Sequence, residues 1–64
     1  MHAKFPIRPG LEVEVQSNSA RRVVEVTVVA KLDEASTPRR DTIPLSPSTA
    51  RAISSAIMGA AAEV

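Results

Sequence analysis

The chain has 64 residues, a net charge of +1, a single aromatic residue (Phe5) and no cysteine. A chain of this length buries only about 60% of the surface its unfolded form exposes, and without cysteine neither disulfides nor thiolate metal sites can supplement the core. The charge balance is too even for a dedicated nucleic-acid or membrane surface, which leaves self-association as the expected supplement to a marginal core.

The opening stretch "MHAKFPIRPG" has no apolar run long enough for a signal peptide, which predicts a cytoplasmic protein. Residues 1–10 read as an extended arm. Phe5 and Ile7 can join the core, but Pro6 and Pro9 keep the segment from being a central strand. In "LEVEV", Leu11, Val13 and Val15 alternate with Glu12 and Glu14, the pattern of a half-buried strand. A second, longer strand follows in "RRVVEVTVVAK", where Val24, Val26, Val28 and Ala30 share one face. The polar connector Gln16 to Ala20 makes the two an antiparallel hairpin. Beyond a turn over Leu32 to Arg40, "DTIPLS" gives a short third strand with Ile43 and Leu45 inward, and Pro44 places it at a sheet edge.

The helix has a clear start: Ser46 is a good N-cap, Pro47 fits the first helical position, and Leu45 can staple to Ala50. On a helical wheel Ala50, Ile53, Ile57, Ala60, Ala61 and Val64 form one stripe, which is expected to cover the sheet. The sequence therefore predicts one α+β domain spanning 1–64. Within it, 1–10 is the arm, 11–45 a three-stranded antiparallel meander, and 46–64 a helix packed on one sheet face. The apolar run "AIMGAAA" is about a third of the roughly 20 residues a membrane span needs.

The other side of the helix carries Ala52, Ser55, Gly59 and Ala62, with only Arg51 and Glu63 charged. Alanine is the best helix former, so such a face can simply be solvated. Alternatively, the four small residues form a flat strip on which a second helix approaches closely, and a mid-helix glycine, costing about 1 kcal/mol relative to alanine, favours that packing role. The strip is thus a candidate partner or dimer interface, with a homodimer as the working expectation.

Catalytic chemistry finds no foothold. His2 is the only histidine and sits near the terminus, where it reads as incidental, and a second strong metal ligand is lacking. Glu12, Glu14 and Glu25 read as a solvated outer face. The hydroxyls have no base to activate them, and neither glycine belongs to a phosphate-cradling loop. No enzyme, cofactor, metal or small-molecule substrate is expected. In a meander, Arg21 and Arg22 lie roughly 30 Å from Lys31, Arg39 and Arg40, which breaks up any continuous basic patch. The third strand should instead return the chain beside Arg21 and Arg22, bringing in Arg51 and the free amides at the helix start. Those three arginines form a candidate anion or nucleic-acid contact, against the plainer reading that they point into water.

Three strands followed by one helix also resembles the layout of several DNA-binding domains, including the arm-binding domains of phage-type integrases. Those domains read DNA with basic and aromatic side chains on the outer sheet face, where this chain presents Glu12, Glu14 and Glu25. A second resemblance lies in "IPLSPSTARAISSAIMGAAAE". It is similar to the carboxyl ends of short uncharacterised proteins from high-GC bacteria and their phages, which run L-S/T-P-x-x-A-x-x-I/L with an Ala-rich finish. That resemblance implies a small accessory protein without a catalytic role. The expected function is a non-enzymatic protein–protein interaction module that modulates a host protein. The alternative is a small DNA-binding regulator using the arginine cluster and the arm with Lys4 and Arg8.

Overall fold

The dipeptide Pro9–Gly10 sets the first turn of the computed structural model, which describes residues 1–64. Proline presets φ for the first turn position, and Gly10 takes φ 83°, as the second position of a type II turn requires. A methyl group on Gly10 would lie 2.5 Å from the Lys31 carbonyl oxygen. The Lys31 N–H in turn donates to the Gly10 carbonyl at 2.8 Å. The turn brings Arg8 opposite Leu11, and the arm becomes a strand.

The expected three-stranded meander is therefore corrected to four strands: β1 (His2–Arg8), β2 (Leu11–Asn18), β3 (Val23–Ala30) and β4 (Arg39–Leu45), followed by helix α1 (Pro47–Ala61). The sheet is antiparallel in the order β1-β2-β3-β4. Prolines exclude a central position but not an edge, and each edge strand carries one, Pro6 in β1 and Pro44 in β4. A register shift between Pro6 and Arg8 leaves Ile7 as the extra residue. β2 runs three residues further than "LEVEV", so the hairpin loop is Ser19–Arg22 rather than Gln16 to Ala20. Asn18 closes that loop by accepting the Arg21 N–H at 3.2 Å through its Oδ1. Arg22 completes it in the left-handed region at φ 57°.

The registers sort the side chains into two faces. Phe5–Val13–Val28–Asp41 and Ala3–Val15–Val26–Ile43 form rows on the mainly apolar face, while Lys4–Glu14–Thr27–Thr42 forms a row on the other. The burial is inverted relative to the usual half-buried sheet. No hydrophobic residue is buried, and the two side chains that are, Glu14 and Thr27, belong to the polar face. Phe5, Ile43 and Ile57 are each more than half exposed.

The helix begins as its sequence dictates. Ser46 caps it, its Oγ accepting the Thr49 N–H at 3.2 Å, and Pro47 occupies the first turn. The expectation that α1 packs over the sheet is corrected: none of its residues is buried, and it approaches the sheet chiefly at β3. Ser46 is the only residue between β4 and α1, so the chain has no connector in which to fold the helix back across four strands. The result is a thin slab of 38 × 37 × 16 Å. Its radius of gyration is 13.5 Å, against about 10.7 Å for a compact chain of this length.

Candidate protein interface

The polar face is chemically complete. Glu14 stands on β2, flanked by β1 and β3, with its side chain only 9% exposed. The His2 Nε2 lies 3.1 Å from Oε1, and the Arg40 Nη2 donates to Oε2 at 2.7 Å. Burial alone pushes this carboxyl up. The His2 and Arg40 hydrogen bonds and the charges of Arg40 and Lys4 outweigh it and hold the group below its ordinary 4.5. Beside it the Thr27 and Thr42 hydroxyls share a hydrogen bond of 2.8 Å. No buried side-chain nitrogen or oxygen lacks a partner. Glu14 thus departs from the solvated role its alternation suggested, and His2 belongs to β1 rather than to a loose terminus. Alternation assigns a face but not what its neighbours reach; the signal for this site lay in Arg40, whose long side chain can cross an adjacent strand.

The apolar face is the unsatisfied one. Its central valines are half-buried, its Phe5 and Ile43 are more than half exposed, and the α1 stripe led by Ile53 and Ile57 is open as well. Exposed apolar surface of this extent marks an interaction site on a folded protein. Its charges stand at the margins: Arg39 and Asp41 on β4 pair with each other at 3.2 Å, and Arg8 lies opposite Leu11 at the end of β1.

The candidate anion residues are brought to one end of the sheet. Val24, just past the Arg21–Arg22 turn, pairs with Leu45, just before α1 and Arg51. All three arginines are exposed, and none forms an ion pair. Ala52, Ser55, Gly59 and Ala62 are exposed as well. A methyl group on Gly59 would meet nothing within 4 Å, so the chain's own packing does not call for glycine there.

A concavity of about 570 Å³ is an open groove around the β1–β2 turn, lined by residues 6–12 with Val29, Lys31 and Pro38. No helix is long and apolar enough to cross a membrane. No family model, curated protein or solved structure matches the chain, so the interface is read from its own geometry.

Proposed function

We propose that this protein is a non-enzymatic protein–protein interaction module. It acts in the cytoplasm as a homo-oligomer and is of the accessory or phage-encoded kind that binds and modulates a host protein, as its carboxyl-terminal resemblance suggests. One observation carries the reading: every hydrophobic side chain retains exposed surface while the polar face satisfies itself. A surface with unmet apolar area and few charges favours protein over nucleic acid, because phosphate recognition rests on clustered cations, whereas the cations of this face stand apart at its margins and Arg39 is paired with Asp41. No cofactor or small-molecule substrate enters the reading.

The DNA-binding alternative has one observation in its favour, the three unpaired arginines Arg21, Arg22 and Arg51 at one end of the sheet. A tagged pull-down from a high-GC bacterial lysate, split into nuclease-treated and untreated halves and washed at raised salt, separates the two readings. The module reading expects one protein retained in both halves. Loss of all bound material to nuclease and salt supports the DNA reading instead.

A further inference from the structure

We propose that the apolar sheet face is covered by a second copy of this chain. The two faces stack about a two-fold axis, and the Ile53–Ile57 stripe of each helix completes the buried surface. The inference rests on the interaction-module reading and assigns its oligomer a surface other than the Ala52–Ser55–Gly59–Ala62 strip.

The area argument comes first. A folded monomer of 6.8 kDa exposes about 3,950 Å² by the scaling of surface with mass. This chain exposes 5214 Å², a surplus of roughly 1,250 Å² over that expectation. Two copies hiding that surplus bury about 2,500 Å² in total, within the range of obligate homodimers and beyond the roughly 1,600 Å² of a standard complex. The chain lacks the surface burial of an independent fold by about the amount that one such interface supplies.

The second argument is what kind of occupant fits. With no buried hydrophobic residue, the chain needs its partner in order to fold, and a second copy is present whenever the chain is made. A self-facing surface must also tolerate its own charges under two-fold symmetry. This face keeps its charges at its margins: Arg39 and Asp41 neutralise each other at 3.2 Å on edge strand β4, Arg8 stands at the end of edge strand β1, and the row Ala3–Val15–Val26–Ile43 between them carries no charge. Stacked sheets bring apolar faces to about 10 Å, which closes this one against water.

The third argument is the helix. Ile53 and Ile57 are 44% and 64% exposed, although an amphipathic stripe of this kind normally finds its cover within its own domain. Cover from the second copy answers both open surfaces at once, and it leaves the small-residue strip on the far side of α1 turned to solvent.

The test is sedimentation equilibrium on three full-length chains: wild type, Ile57→Asp and Gly59→Leu. Ile57 touches no core in the single chain, so its replacement leaves the monomer's own packing unaltered. The expected masses are about 13.6 kDa, twice the 6.8 kDa chain, for wild type and Gly59→Leu. Ile57→Asp should associate about tenfold or more weakly. A wild-type mass of 6.8 kDa, or dissociation of Gly59→Leu with Ile57→Asp intact, overturns the proposal. A monomer that still retains one host protein in the pull-down removes the second copy but not the module. A dimer that retains only nuclease-sensitive material removes the module but not the second copy.

Discussion

The Arg40 guanidinium on edge strand β4 reaches across β3 and donates its Nη2 to Glu14 Oε2 on β2 at 2.7 Å. With His2 of β1 on the other oxygen, one carboxylate ties both edges of the sheet to its interior. The polar face thereby links the strands laterally, from β1 through β2 to β4.

Acid should loosen this arrangement. Because the Glu14 carboxyl is held below its ordinary 4.5, its contribution to stability is full above that value and is lost as pH falls through the lowered folded value. Urea midpoints taken from neutral to acid pH should drop for the wild type, and Glu14→Gln should be less stable at neutral pH and flatter across the acid range. Equal slopes for the two proteins contradict the assigned role.

Gly10→Ala should destabilise the sheet by about 1–3 kcal/mol from backbone strain alone, and by more where the methyl meets the Lys31 carbonyl. Chemical denaturation measures it. A substitution within a few tenths of a kcal/mol of wild type, on the scale of ordinary surface changes, would show that the turn differs from the one described.

Arg22→Gly should act in the opposite direction. Arg22 holds φ 57°, a conformation that costs an L-residue roughly 1–2 kcal/mol and glycine little. The greater freedom of glycine in the unfolded chain offsets part of that gain, so a net rise of about 0.5–1 kcal/mol is expected.

Ser46→Ala removes the acceptor for the Thr49 N–H, and N-caps of this kind contribute about 1 kcal/mol. A 15-residue helix of which no residue is buried within its own chain is marginal alone. Because the α1 stripe completes the surface buried between two copies, circular dichroism should lose helical and sheet signal together at a lowered urea midpoint. Loss of the helical signal alone, with the sheet signal and the dimer retained, would contradict that part of the account.

Much of this fold was legible from local chemistry. Ser46–Pro47 marks a helix start whatever surrounds it, and Leu11–Val15 alternates cleanly enough to assign its face. Pro6 and Pro9 exclude a central strand, which makes the segment read as an arm rather than as the edge strand it forms. The Pro9–Gly10 pair is itself a turn signal, and the alternation of Ala3, Phe5 and Ile7 before it is that of an edge strand. The Arg21–Arg22 turn and the start of α1 share one end of the sheet because β4 runs antiparallel to β3 and returns the chain there. Of the carboxylate network the sequence held only the long side chain of Arg40; its reach across β3 to Glu14, 26 residues away, depends on the sheet register. The openness of the apolar face was equally hidden: the helix stripe has the right pattern to cover a sheet, and only the structure shows that none of its residues is buried.

The central claim is that the apolar face is buried between two copies, and the dependence of unfolding on chain concentration tests it most directly. For an obligate dimer the urea midpoint rises with concentration, because dissociation and unfolding are linked by mass action. The account predicts that rise for wild type and its persistence in Gly59→Leu. A cooperative transition whose midpoint stays fixed across concentrations would mean that a single chain folds alone, and would contradict it.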